Sequence, residues 1–177
     1  MITIEQAHAK LKAHLGDSPK ATHCRVVAHL MRQLAEKSQE NADLWEVVGL
    51  CHDLDETETK GNRQLHGILT AQWLADDLPS DALEAIRAHD HRTGVKAETE
   101  LADALKLADA LAIADEDAGR EAIGRIGTEG GWHELSERLV RRPYLLPIIS
   151  DLCNRMDESL ADLAGLFDRA PRQDAHP

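Results

Sequence analysis

Residues 47–56 read VVGLCHDLDE, an apolar run that ends in a histidine, two aspartates and a glutamate. Leu44, Val48 and Cys51 precede His52 at three- and four-residue steps, so His52 shares their apolar helix face, and Asp53 follows it directly. Burying an unpaired carboxylate on such a face costs on the order of several kcal/mol. Asp53 therefore needs a partner, and coordination to a cation is one way to supply it.

Four more segments repeat the pattern. His23 lines up with Val26, Val27, Leu30 and Leu34; His66 precedes Leu69 and Trp73; His89 follows Ala82 and Ile86; Asp109 lies between Leu105 and Ile113. Five helical segments thus direct His23, His52, Asp53, His66, His89 and Asp109 inward. Imidazole and carboxylate together suit iron, manganese, cobalt, nickel or zinc, whereas a set without thiolates argues against iron–sulfur clusters and structural zinc. A single inward histidine is more often a satisfied core group than a ligand. His8 shares a face with Ile4, Leu11 and Leu15, yet nothing else recommends it, and His14, His29, His133 and His176 fall on mixed or loose segments. Spacing alone leaves both explanations open.

Apolar residues recur at helical spacing along almost the whole chain, with breaks at 16–19, 58–62, 78–80, 93–95 and 127–131. The pattern predicts an all-α protein with helices over 3–15, 19–38, 41–53, 62–77, 80–90, 97–115 and 143–168, and weaker helical pieces between 118 and 140. Asp17 or Ser18 before Pro19, and Ser80 before Asp81 and Glu84, are the expected N-caps. The last helix carries Leu145, Ile148, Ile149, Leu152, Met156, Leu160, Leu163 and Phe167 as one stripe. Residues 1–170 are expected to form one domain, and 171–177, PRQDAHP, a disordered tail with nothing to bury. Residues 118–140, which contain Gly127, Gly130 and Gly131, are expected to cover the site as a lid or to pair two chains as a homodimer.

The chain has 177 residues, a length that suits one domain of roughly 100 to 200 residues. Aromatics make up only 3 % of it, so the core must be built from Leu, Ala, Ile and Val. The net charge of −12, with no basic run, argues against a nucleic-acid binder. Anionic substrates stay open to an acidic protein that carries metal. Cys24, Cys51 and Cys153 are widely spaced, which fits reduced thiols in a cytoplasm better than a disulfide framework. No apolar stretch follows a basic segment at the start, and none is long enough to span a bilayer, so neither export nor a membrane partner is expected.

HCRVVAHLMRQLAE (23–36), VVGLCHDLDE (47–56), RAHDH (87–91) and LKLADAL (105–111) resemble, in order, the motif series of the HD superfamily, over about residues 20–115. The adjacent His52–Asp53 pair is its signature. The likeness is greatest to small stand-alone bacterial HD proteins, whose pattern is matched by HDLDE, QLHG, IRAHD and KLADAL. The resemblance implies a single HD-type helical bundle with a central metal site held by His23, His52, Asp53 and Asp109. It further implies a second ion in the branches with two extra histidines, here His66 and His89, with Asp53 bridging the pair. His91, two residues beyond His89, would point away.

The chemistry implied is hydrolysis of a small phosphoester or nucleotide by a metal-activated water, with iron, manganese or cobalt as the ions. Glu56 is a candidate acid or base beside Asp53, because a nucleotidase branch carries a glutamate at the same offset. That branch also has an aspartate where this chain has Gly61, and a solvated acidic loop is the plain alternative. Asp55 is either an orienting group or exposed. Lys60 and Arg63, then Arg92 and Lys96, flank ligand-bearing segments and are candidates to hold the substrate anion. Two other functions resemble parts of the superfamily: a mixed-valent di-iron oxygenase, whose inositol and phosphonate branches place lysine or histidine where Glu56 stands, and a non-catalytic module stapled by metal.

Overall fold

The computed structural model describes residues 1–171, and every regular element among them is helical. The expected tail at 171–177 lies outside the described residues from 172 onward. In chain order the helices are α1 (Ile4–Leu15), α2 (Pro19–Ser38), α3 (Ala42–Cys51), α4 (Glu56–Thr59), α5 (Ile68–Trp73), α6 (Ser80–Ala88), α7 (Glu100–Ala118), α8 (Arg120–Gly124), α9 (Gly131–Arg138), α10 (Leu145–Arg155) and α11 (Leu160–Leu166). Short 3₁₀ turns sit at Arg63–Leu65 and His91–Thr93. One hydrophobic cluster runs from Ile2 to Ala170. No helix among the described residues is long and apolar enough to cross a membrane.

Helix α7 is the hub, packing against α2, α3, α6, α8, α9 and α10. Its buried face is rich in small residues: Ala102, Ala104, Ala108, Ala110, Ala112 and Ala114 are buried beside Leu101, Leu105, Leu107 and Leu111. Alanine favours the helix and lets neighbouring backbones approach. Helices α2 and α3 also approach closely: a Cβ on Gly49 would lie 2.6 Å from the Ala28 Cα. Arg32 on α2 adds ion pairs to Glu46 and Asp43 on or beside α3. These contacts set the distance between the helix bearing His23 and the one that ends at His52.

Several boundaries differ from the pattern read along the chain, each for a local reason. The segment 62–77 is not one helix: His66 is extended (φ −65°, ψ 130°) and Gly67 takes a left-handed conformation (φ 75°) before α5 begins. A Cβ there would meet the Ile86 carbonyl at 2.4 Å and the His89 ring at 3.0 Å, so the sharp turn needs glycine. The expected C-terminal helix 143–168 is two helices, α10 and α11. Asp157 has φ 56°, and Ser159 and Asp162 form a capping box that starts a new helix within the apolar stripe. Ser18 caps α2 as expected, but at α6 the cap position is Pro79, with Ser80 already helical. Residues 118–140 fold into α8 and α9 and contribute Ile123, Ile126, Leu135 and Leu139 to the core.

Because the Gly49 site has backbone on its far side, Gly49→Ala should force α2 and α3 apart. We expect a loss of about 1–3 kcal/mol in urea unfolding with helicity retained; unchanged stability would show that the helices have room to spare.

Candidate metal centre

All six side chains that the sequence singled out converge. His23 comes from the second turn of α2 and Asp109 from the middle of α7. His52 and His89 are the C-cap residues of α3 and α6, Asp53 follows in the turn after α3, and His66 stands on the extended residue before Gly67. Only two of the six therefore sit within helices, where the spacing argument had placed all of them.

Asp53 lies at the centre, 2 % exposed, and its two carboxylate oxygens face different histidines. Oδ2 is 3.3 Å from His52 Nε2 and 3.8 Å from His23 Nε2, while Oδ1 is 2.9 Å from His66 Nε2 and 3.3 Å from His89 Nε2. Asp109 Oδ1 is 3.0 Å from His23 Nε2 and 3.7 Å from His52 Nε2. Two donor sets result, His23–His52–Asp109 and Asp53–His66–His89, each with its donor atoms within 4.8 Å of one another. The side of the centre open to solvent is marked by Asp109, whose side chain is 19 % exposed.

Each histidine is oriented by a hydrogen bond from its other nitrogen. His23 Nδ1 donates to Glu116 Oε1 (2.8 Å), and His66 Nδ1 to Asp55 Oδ1 (2.8 Å). His52 Nδ1 donates to the Gly49 carbonyl (2.8 Å) and His89 Nδ1 to the Ile86 carbonyl (2.7 Å). The last two share one device: a helix leaves its final carbonyls without intrahelical partners, and a histidine at the C-cap folds back to satisfy one of them. All four Nε2 atoms thereby face Asp53 and Asp109. This is the arrangement by which metal-binding imidazoles are usually held. Asp55 is itself fixed, accepting from the Thr70 backbone N–H (3.0 Å) while its own N–H donates to Thr70 Oγ1 (3.1 Å).

His52 Nε2 and Asp53 Oδ1 are fully buried polar atoms without a hydrogen-bond partner among the described residues. A cation accepting both would remove the penalty of leaving them unpaired, so this donor set fits a divalent metal ion. Burial disfavours charge on these groups, yet opposite charges prevail. Asp53 is held well below the usual carboxylate range by His52 and Lys20, and Asp109 by His23 and His52. Burial opposes protonation of His52 and His66, but the neighbouring carboxylates prevail: Asp53 carries His52 up to about 10, and Asp53 with Asp55 carries His66 up to about 9.

Lys20 was not singled out in the sequence. Its ammonium lies 2.9 Å from Asp53 Oδ2, and Asp53 and Asp109 raise its pKa although burial works against the charge. Its place one turn before His23 on α2 was the available signal. Glu116 also escaped notice, although it lies seven residues after Asp109 and so on the same helix face. Of the candidate anion-binding residues, Arg63 is committed to Glu56 through two hydrogen bonds (2.6 and 2.8 Å) and Arg92 to Asp90 (2.9 Å). Lys60 and Lys96 are exposed and form no ion pair with the centre. Glu56 Oε2 is 4.0 Å from His66 Nε2. Burial would raise its pKa, but the Arg63 hydrogen bonds keep the carboxyl below its ordinary value. His91 is exposed, His14 stacks on Trp73, His29 bonds the Asp168 carbonyl, and His133 pairs with Glu137, so none of these joins the centre.

Two outcomes follow from the geometry. Glu116→Ala and Asp55→Ala should each weaken metal binding by roughly 10–100-fold in equilibrium titrations, because each frees one imidazole to rotate. Cation uptake needs an unprotonated Nε2, so binding near neutral pH should release a proton from His52 and one from His66. Affinity should therefore climb as pH rises toward the values of these two groups and fall in acid. Calorimetry in buffers of different ionisation enthalpy checks the proton count.

Comparison with known proteins agrees with the site. No curated protein and no solved structure matches the chain. The family model described as HD domain matches residues 21–114, which hold all six converging side chains and amount to more than half of the 177 residues. HD domains are generally metal-dependent hydrolases, and a buried His/Asp cluster is what such a domain needs. The chain, a bundle of helices with its histidines and aspartates gathered between α2, α3, α6 and α7, belongs to the HD-domain family.

Proposed function

We propose that the protein is a hydrolase that uses two divalent ions to cleave a small phosphoester or nucleotide. The observation that carries this is the disposition of Asp53, one oxygen toward His23 and His52 and the other toward His66 and His89. In this proposal His23, His52 and Asp109 would hold one ion and His66 and His89 the other, with Asp53 available to both. Such ions, iron, manganese or cobalt by the chemistry of the donors, would supply a water of lowered pKa and positive charge toward a phosphoryl oxygen.

The remaining work falls to the chain's own groups. Glu56, ionised and clamped by Arg63, can accept a proton on the His66 side but has none to donate, so it serves as base and not as acid. Arg63 lies near enough to Arg92 to disfavour its charge, and with Lys20, which is paired to Asp53, these are the cations we assign to an anionic substrate. Arg92 Nη1 takes no part in its pairing with Asp90 and is free to meet a phosphate oxygen. Lys60 and Lys96, which touch nothing at the centre, would act only through longer-range attraction.

A di-iron oxygenase is the second reading, because the same six residues would serve it. The Glu56–Arg63 pair weighs against it, since the oxygenase branches carry lysine or histidine at the place of Glu56. The test is elemental analysis and electron paramagnetic resonance on protein purified without chelator, with phosphate release measured across a phosphoester panel. Two ions per chain with phosphate release are expected; a mixed-valent iron signal with oxygen uptake would overturn the hydrolase reading. Asp53→Ala should lose both ions, whereas Glu56→Gln should keep them and slow turnover by about 10²–10⁴-fold. Full metal retention in Asp53→Ala would remove the bridging role.

A further inference from the structure

Cys24 follows His23 on α2 and is fully buried. One donor atom each of Cys24, His52 and Asp53 lies within 4.8 Å of the others, a third compact set and the one among the three that contains a thiol. His52 Nδ1 is occupied by the Gly49 carbonyl, so the nitrogen left for this set is Nε2, which is buried without a hydrogen-bond partner. A sulfur donor changes what such a group prefers: thiolate with imidazole selects soft or borderline ions such as zinc and cadmium, whereas carboxylate-rich sets suit manganese.

We propose that Cys24, His52 and Asp53 form a thiophilic metal site that overlaps the histidine–aspartate centre and captures zinc-class ions. The S–H bond of Cys24 breaks as the sulfur–metal bond forms, and the proton passes to solvent. Because His52 and Asp53 are shared, an ion held here withdraws them from the other two donor sets. Zinc-class ions then compete with the ions of the main centre instead of adding to them. The site does not depend on hydrolysis: a chain that cleaved no phosphoester would still show it.

Cadmium is the probe. Wild-type protein dialysed against cadmium should develop a thiolate-to-metal charge-transfer absorption in the ultraviolet, saturating at one thiolate-bound ion per chain. Absorption spectroscopy at the cadmium edge should find one sulfur among nitrogen and oxygen neighbours. Prior loading with manganese should shift the titration to higher cadmium. Cys24→Ala should abolish the band, while Cys51→Ala and Cys153→Ala keep it. A cadmium shell of nitrogen and oxygen alone in the wild-type chain, or a band that survives Cys24→Ala, overturns the proposal. The edge measurement needs no variant, so a misfolded Cys24→Ala protein leaves the proposal falsifiable. Manganese stoichiometry measured on the same wild-type sample reports on the main centre separately.

Discussion

A carboxylate with 2 % exposure at the centre of a helical bundle is the constraint around which this molecule is arranged. Unpaired, such a charge would cost several kcal/mol, on the order of a large part of a domain's net stability. Four imidazoles and one ammonium surround Asp53 instead, from segments as far apart in the chain as Lys20 and His89. Burial works against charge on Lys20, His52 and His66, and the carboxylate offsets it. The cluster is thus mutually dependent, and its two unpartnered atoms, His52 Nε2 and Asp53 Oδ1, are the ones that a cation would complete.

The rest of the fold can be understood as the means of holding those groups still. Alanines along α7 let α2 and α6 come close, bringing Asp109 within 3.0 Å of His23. Gly49 lets α3 rest against the backbone of α2, so that a helix end delivers His52 and Asp53. Gly67 makes the turn that sets His66 beside the His89 ring. Helix ends recur here because a C-cap histidine satisfies an orphaned carbonyl with one nitrogen and presents the other inward. The local requirement of the helix and the requirement of the site coincide.

Charge follows the same logic at the mouth of the centre. Glu56 and Asp90 would raise the acidity of an already acidic site, but each is neutralised by an arginine two to seven residues along the chain. Arg63 and Arg92 are therefore coupled to those carboxylates and do not form a free basic patch on a chain whose net charge is −12. The thiol of Cys24 adds a softer donor to one edge of the same cluster.

The sequence by itself determined that the chain is helical and where α1, α2 and α6 run to within a residue or two, because period is a local property of the text, and its motifs marked the six side chains that converge. It did not reveal that His66 leaves the helix or that the last stripe breaks at Asp157, since an apolar period continues across both places while glycine and capping chemistry interrupt the backbone. Nor could it identify Glu116 as the partner of His23, 93 residues away, or give Lys20 its place against Asp53. Those depend on how α2 and α7 cross, which is fixed by packing over the whole bundle. Period tells which way a side chain faces; only the meeting of helices tells what it faces.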